Sequence, residues 1–257
     1  MRTVILLSLF LLLVVPVQAA SSAHGGTGMD PNAFHLTLTT EPATAQVGQQ
    51  VNVMLQLTDA FGAPVTEFEI VHEKKVHVII IRDDLQKFTH AHPEPGANGV
   101  LSSIVSFPEG GTYFFHVDFT PRDGQNVTLM AELRVEGSAT QAPPLEPFVP
   151  GRVQTDDLLT DVSVQEMKGA RRVSFDLMGL DATPVSDLEP YLGAMGHLVV
   201  VSADGRTYIH AHPVDGGKPN EVMFDVLFPG SGIYKGWGEF KRAGKVLVVP
   251  IVLSVEM

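Results

Sequence analysis

Short runs of alternating apolar and polar residues follow one another along the chain, and turn-forming clusters separate them. Runs of this period are typical of strands that bury one face. In the first half they predict strands at 36–40, 51–57, 76–81, 104–107, 113–119 and 127–135. Because Val, Ile, Phe and Thr are frequent in them, we predict an all-β protein, an antiparallel sandwich or barrel. Very little helix is expected, although the segment 187–192 is compatible with a helical turn.

The chain matches itself at an offset of 120 residues. The matched segments include Pro64-Val65 with Pro184-Val185, His77 with His197, and His90-Ala91-His92-Pro93 with His210-Ala211-His212-Pro213. One inserted residue later, Phe107-Pro108 and Tyr113 match Phe228-Pro229 and Tyr234. A repeat of this length indicates a duplication of whole domains.

We therefore divide the chain into a signal peptide (1–20), a flexible N-terminal segment (21–33), β-sandwich repeat 1 (34–137), a Pro-rich linker (138–153) and β-sandwich repeat 2 (154–257). Arg2, an apolar run over 4–15 and small residues after Pro16 are typical of a cleaved secretory signal. The run is short for a membrane span. We expect a periplasmic or secreted protein with no membrane span after cleavage; a retained signal anchor is the alternative.

Composition excludes several classes of function. The chain has no Cys, so disulfides, a thiolate metal site and a catalytic thiol are all excluded. The formal net charge of -12 argues against nucleic acid as a partner, because phosphate binding requires clustered Lys and Arg. An acidic excess attracts cations, although a solvated surface is the plainer interpretation.

A His-x12-His-x-His pattern occurs once in each repeat. In the second repeat, Asp204-Gly205 predicts a tight hairpin turn between two strand-like runs. Centring the hairpin there places His197 opposite His212 and His210 opposite Val199. Residues two apart share one face of a strand, so all three imidazoles project to the same side. The same register in the first repeat places His77 opposite His92, with His90 on the diagonal.

Three imidazoles on one face can bind one transition metal ion, because opposed and diagonal residues lie within reach of metal–nitrogen bonds. The alternative is a set of histidines bonded to neighbouring backbone. Retention of the pattern in both copies, where most other positions differ, favours metal. Imidazole suits several ions, and Met195, two residues before His197, favours copper over zinc because a thioether suits Cu(I). A core or rim methionine is the alternative for Met195. Lys75 stands at the equivalent position of the first repeat.

The remaining histidines differ in how well they suit a ligand role. His116 is a candidate fourth ligand, and Asp118 is a carboxylate that can orient a ligating histidine; a solvated strand face is the alternative for both. His35 and His72 are expected to be structural or exposed. His24 would join a copper site only if signal cleavage made it the N-terminus.

The segments 191–201, His210-Ala211-His212-Pro213, Phe228-Pro229 and Tyr234 resemble bacterial exported YtkA-like domains and, more loosely, CopC-like copper-binding domains. Repeat 1 matches through Gly62-Ala63-Pro64-Val65, His77 and the same His-Ala-His-Pro. The resemblance implies an immunoglobulin-like fold and association with copper or other heavy metals, without catalysis. CopC-like domains usually use an N-terminal histidine, which only cleavage before His24 would supply here.

The resulting expectation is two tandem immunoglobulin-like antiparallel β-sandwich domains that bind a transition metal ion, copper favoured over zinc, for buffering, delivery or resistance. A periplasmic metal transporter or acceptor protein is a further expected partner. The alternative is a non-catalytic immunoglobulin-like module that binds protein or polysaccharide and has structural histidines. A three-histidine metalloenzyme is a third hypothesis, but the register places no general acid or base near the triad, so no enzyme is expected.

Overall fold

The computed structural model describes residues 33–257, which form eighteen strands and no α-helix. The predicted signal peptide, residues 21–32 of the predicted N-terminal segment and His24 lie outside the described residues. Within 33–257 no helix has the length and hydropathy needed to cross a bilayer. The strands are β1 (Phe34–Glu41), β2 (Ala45–Gln46), β3 (Gln50–Asp59), β4 (Val76–Arg82), β5 (Phe88–Ala91), β6 (Val100–Ser106), β7 (Gly111–Phe119), β8 (Val127–Glu136), β9 (Gly151–Gln154), β10 (Leu159–Met167), β11 (Ala170–Met178), β12 (Leu188–Glu189), β13 (His197–Ser202), β14 (Tyr208–Ala211), β15 (Pro213–Val214), β16 (Glu221–Val226), β17 (Gly232–Arg242) and β18 (Lys245–Val255).

Each repeat is an immunoglobulin-like sandwich of two sheets. In repeat 1 the sheets have the orders β1-β3-β6 and β2-β8-β7-β4-β5; in repeat 2 the orders are β15-β16-β11-β10-β9 and β12-β17-β13-β14, with β18 also paired to β17. Alternate residues point inwards and form one apolar core per repeat, with Phe115 and Phe119 in the first and Phe175, Phe224 and Phe240 in the second. The predicted all-β fold of two tandem sandwiches is confirmed.

The strands β4 and β13 are buried on both faces. Along β4, Val78 and Ile80 pack into the core of repeat 1, whereas Ile79 and Ile81 point away from it. The outward pair packs against repeat 2, so β4 is buried along its whole length. β13 repeats this arrangement from the other side. Two sheets, one from each repeat, therefore pack face to face.

An interface cluster joins the repeats through these outward faces. Its buried members are Ile79, Ile81, Leu85, Phe114 and Met130 from repeat 1 and Val199, Val201, Tyr208 and Trp237 from repeat 2. Two stacked ring pairs flank it, Phe88 on Trp237 at 4.6 Å and His116 on Tyr208 at 5.2 Å between ring centroids. Phe88 corresponds to Tyr208 in the duplication and His116 to Trp237, so the interface has an approximate two-fold relation.

Both histidine hairpins have the predicted register. β4 pairs with β5 through Ile79 and His90, and β13 pairs with β14 through Val199 and His210. His92 and His212 each lie one residue beyond the second strand of their hairpin. The three histidines of each hairpin consequently share the face that points to the other repeat.

Glycine is required at position 205, in the second hairpin turn, because of the backbone conformation there and because of a close contact with repeat 1. Its φ is 74°, and a Cβ there would lie 2.4 Å from the ring of Phe114 in repeat 1. Its carbonyl oxygen accepts a hydrogen bond from the His116 ring at 2.9 Å. Leu85 occupies the corresponding position of the first hairpin, also with positive φ, and its side chain is fully buried in the interface cluster. The turn sequences are thus fixed partly by contact between the repeats.

One local prediction is wrong. The segment 187–192 contains no helical turn; it contains β12, in which Leu188 pairs with Arg242 of β17. Sheet pairing supplies the backbone hydrogen bonds that a helical turn would otherwise provide. The segment between β8 and β9 has no strand and is tied to both repeats, since Arg82 donates to the Thr140 carbonyl and the Phe148 amide donates to that of Val252.

The interface cluster should contribute strongly to stability. Ile79 is fully buried there, so Ile79→Ala is expected to lower the free energy of unfolding by about 2–5 kcal/mol through lost burial and a cavity. Ile104→Ala is the matched control, because Ile104 is 73 % exposed and its loss should cost less than about 1 kcal/mol. Denaturant unfolding measures both, and equal effects would contradict a packed interface.

Candidate metal centre

The first triad consists of His77, His90 and His92. Nδ1 of His77 and Nε2 of His92 each lie 3.1 Å from Nε2 of His90. Two nitrogens bound to one zinc ion at about 2.0–2.1 Å would lie roughly 3.3 Å apart in tetrahedral geometry. The first triad therefore has nearly the dimensions of a ligand set.

The second triad consists of His197, His210 and His212. One ring nitrogen from each lies within 4.8 Å of the other two, as in the first triad. His197 and His210 are buried in β13 and β14, and His212 is partly buried just beyond. Each repeat therefore contributes one compact set of three nitrogens.

The two triads meet at the interface between the repeats. The ring centroid of His210 lies 5.2 Å from that of His77 and 5.8 Å from that of His90. These distances match the 5.5 Å between His197 and His210 within the second triad. The six rings thus form one cluster to which both repeats contribute.

A backbone carbonyl fixes the first histidine of each triad. Nε2 of His77 donates to the Val71 carbonyl at 3.1 Å, and Nε2 of His197 donates to the Tyr191 carbonyl at 2.9 Å. A tight turn with positive φ at residues 72 and 192 presents each carbonyl. Because a carbonyl only accepts, the ring proton lies on Nε2 and Nδ1 keeps its lone pair.

A carboxylate from the opposite repeat contacts the second histidine of each triad. Nδ1 of His90 lies 2.6 Å from Oε2 of Glu239, and Nδ1 of His210 lies 3.3 Å from Oδ2 of Asp118. Asp118 and Glu239 occupy corresponding positions in β7 and β17, so the two contacts cross the interface reciprocally. An ionised carboxylate accepts a hydrogen bond from Nδ1–H and leaves the Nε2 lone pair free, which is the usual arrangement around a metal-ligating histidine.

The two carboxylates differ in their own environment. Burial opposes ionisation of Asp118, yet the hydrogen bonds from His210 and Asn126 leave its pKa below the ordinary value. Burial raises the pKa of Glu239 to about 7. Glu239 therefore takes up a proton near neutral pH, whereas Asp118 remains ionised.

One ring nitrogen of each histidine in the second triad has no hydrogen-bond partner among the described residues. Nδ1 of His197, Nε2 of His210 and Nε2 of His212 are buried and receive no hydrogen bond from any described residue. In the first triad, Nδ1 of His77 and Nε2 of His90 face each other with lone pairs when Glu239 is ionised. Two lone pairs cannot hydrogen-bond, so a cation between them would stabilise the arrangement.

Burial keeps four of the histidine rings neutral, which is the form that binds metal. It lowers the pKa of His90 and of His92 to about 3, that of His210 to about 3 and that of His212 to about 2. Neighbouring histidines lower these values further. Near neutral pH the four rings are uncharged, and neutral imidazole is the ligating form.

The other predicted residues lie outside the two sets of three nitrogens. His116 is fully buried, stacks on Tyr208 and bonds to Gly205 of the second repeat. Met195 precedes β13 and is 40 % exposed. His35 is exposed on β1.

Sequence reasoning missed two residues that contact the cluster, His72 and Glu239. The ring of His72 stacks on His212 at 3.6 Å between centroids, although His72 belongs to repeat 1. Leu192 occupies its corresponding position, so the duplication gave no signal for it. Glu239 corresponds to Asp118, and carrying that candidate across the repeat would have found it.

Fold and site together define a protein of two tandem immunoglobulin-like sandwiches with a histidine cluster between them. The chain belongs to the family described as Domain of unknown function (DUF8832), which matches it twice, over residues 31–137 and 155–257. No curated protein sequence matches the chain.

Several solved structures are similar to the chain at low identity. The chicken interferon gamma receptor alpha chain is 10% identical with a TM-score of 0.27, covering 86% of this chain and 98% of the receptor chain. The Escherichia coli adhesin FdeC is 15% identical with a TM-score of 0.27, covering 86% of this chain and 64% of the adhesin chain. At these TM-scores and identities the likenesses carry no inference about this chain.

Removing one crossed carboxylate should weaken one triad. Asp118→Asn keeps the side chain's size but no longer holds the Nδ1 proton of His210 with a charge. We expect the affinity of the second triad for Cu²⁺ or Zn²⁺ to fall about 10- to 100-fold. Chelator competition in a His92→Ala background, where the second triad is intact, measures it. Asp161→Asn is the matched control, since Asp161 pairs with Arg152 at the surface; equal affinities in both variants would contradict the orienting role.

Acid should destabilise the metal-free protein. Histidines of the unfolded chain titrate near pH 6.5, whereas His90, His92, His210 and His212 have folded pKa values of about 2 to 3. The unfolded state therefore binds more protons between about pH 6.5 and 3, and stability falls as pH falls through that window. Glu239, with a pKa of about 7, opposes this as one group against four. We expect a lower melting temperature in EDTA at about pH 5 than at about pH 7; an equal or higher one would contradict neutral buried histidines.

Proposed function

We propose that the protein is an exported metal-binding protein that holds transition metal ions in its two triads, copper in preference to zinc. The observation that carries this proposal is the set of three buried ring nitrogens of the second triad without hydrogen-bond partners among the described residues. An unsatisfied buried polar atom costs about 1–3 kcal/mol. A cation bound between the three nitrogens would satisfy all of their lone pairs at once, which supports the proposal.

The preference for copper rests on the ligand type. Divalent ions bind nitrogen sites in an order that peaks at Cu²⁺ and falls again at Zn²⁺. Cu(I) also accepts thioether ligands, and Met195 lies two residues before His197. The resemblance of the histidine segments to YtkA-like and CopC-like domains supports the same choice.

Buffering, delivery or resistance is the role we propose, without catalysis. The carboxylates nearest the triads, Asp118 and Glu239, already bond to ligand histidines, so they are committed to positioning. The signal-like N-terminus supports a periplasmic or secreted location. A periplasmic metal transporter or acceptor protein is the partner that such a role requires.

Metal titration tests the proposal most directly. His92→Ala and His212→Ala each remove the outermost ligand of one triad; both residues are partly exposed, so the variants should fold. We expect two copper ions per wild-type chain, one in each single variant and none in the double variant. Calorimetry and metal analysis measure the stoichiometry, and His35→Ala, an exposed histidine on β1, should behave as wild type.

Thermal stability gives the second readout of that experiment. A ligand at a hundred times its dissociation constant stabilises a fold by about 2.7 kcal/mol, so copper should raise the melting temperature and EDTA should reverse it. The double variant should not respond. Unchanged stoichiometry in the double variant, or indifference of the wild type to copper, would favour a non-metal interaction module instead.

A further inference from the structure

We infer that the two triads form one binuclear metal centre. Both repeats share it, and it lies at the interface where they are related by an approximate two-fold axis. The inference rests on the proposed metal binding and adds that the two ions lie close enough to interact. Nothing in the spacing of the histidines along the chain requires this, because each triad is complete within one hairpin.

Short distances across the interface are the first argument. The rings of His77 and His210 belong to different triads, yet their centroids are 5.2 Å apart. Each ion would lie about 2 Å from its ligand nitrogens, so the two ions would be less than roughly 12 Å apart. His72 of repeat 1 stacks on His212 and further interleaves the two halves.

Crossed positioning is the second argument. His90 ligates in the first triad but is oriented by Glu239 of repeat 2, and His210 ligates in the second triad but is oriented by Asp118 of repeat 1. Each triad therefore loses the carboxylate that orients one of its histidines when the repeats separate. Each half of the centre is built from both repeats.

Charge balance is the third argument. Asp118 and Glu239 are both buried, and when ionised they bring two negative charges to a cluster of neutral imidazoles. Buried charges are stable only when paired. Two monovalent ions would balance them, and two divalent ions would leave an excess that a small anion at open coordination positions would reduce.

Access to both triads is the fourth argument. A cavity of about 250 Å³ is lined by His77 of the first triad and by His210 and His212 of the second, with His72, Asp118 and Asn126 among its other walls. Three-nitrogen sites commonly keep a fourth position for water or another ligand. The cavity gives a small ligand room beside both ions.

Electron paramagnetic resonance of the full chain tests the inference. Fully Cu²⁺-loaded protein is expected to give a dipolar-broadened signal, because two Cu²⁺ ions less than roughly 12 Å apart couple through space. The same protein loaded with one copper per ten zinc ions should give a narrow signal, because most copper ions then have a diamagnetic neighbour. His92→Ala and His212→Ala, each expected to bind one ion, should also give narrow signals.

The outcomes separate this inference from the proposed function. Two bound ions per chain with a narrow signal of doubled intensity would overturn the binuclear centre and leave metal binding standing. Absence of copper uptake by the wild type would overturn both. Broadening that persists in the one-ion variants would also overturn the inference, because it would then come from contacts between chains.

Discussion

The face-to-face packing of two sheets from different repeats is the constraint on which the rest of the structure depends. It buries the outer faces of β4 and β13, which carry Ile79 and Ile81 in one repeat and Val199 and Val201 in the other. The histidines occupy the same faces one step further along the strands. The apolar contact that joins the repeats therefore also withdraws the imidazoles from water.

That withdrawal determines the chemistry of the cluster. Burial favours neutral rings, and hydrogen bonds from Nε2 of His77 and His197 or Nδ1 of His90 and His210 fix where their protons lie. What remains is a set of lone pairs pointing inwards. Buried lone pairs without donors are costly, so the metal-free fold is less stable than its apolar packing alone would make it.

The two repeats differ in chemistry at several positions where they touch. Stacking of Phe88 on Trp237 is matched by stacking of His116 on Tyr208, so the shape is kept while the chemistry changes. Gly205 and Leu85 occupy the same turn position in the two repeats. Gly205 has no side chain and the Phe114 ring packs against it, whereas Leu85 buries its own side chain in the interface cluster. The crossed carboxylates differ too, since Asp118 has a second donor in Asn126. Two sites of common origin can thereby differ in affinity.

The sequence by itself determined the strand positions, the tandem sandwich fold, the hairpin register and the three same-face histidines of each repeat. The tandem arrangement follows from the duplication, and the other features depend on alternation and turn chemistry, which act over a few residues. The tertiary structure decided where those faces point. The sequence of Val76 to Ile81 does not say whether the second apolar face of the strand meets solvent or another sheet. Only that contact brings Asp118 and Glu239 to histidines of the opposite repeat and stacks His72 on His212. Residues more than a hundred positions apart meet through domain packing, which no short-range pattern encodes.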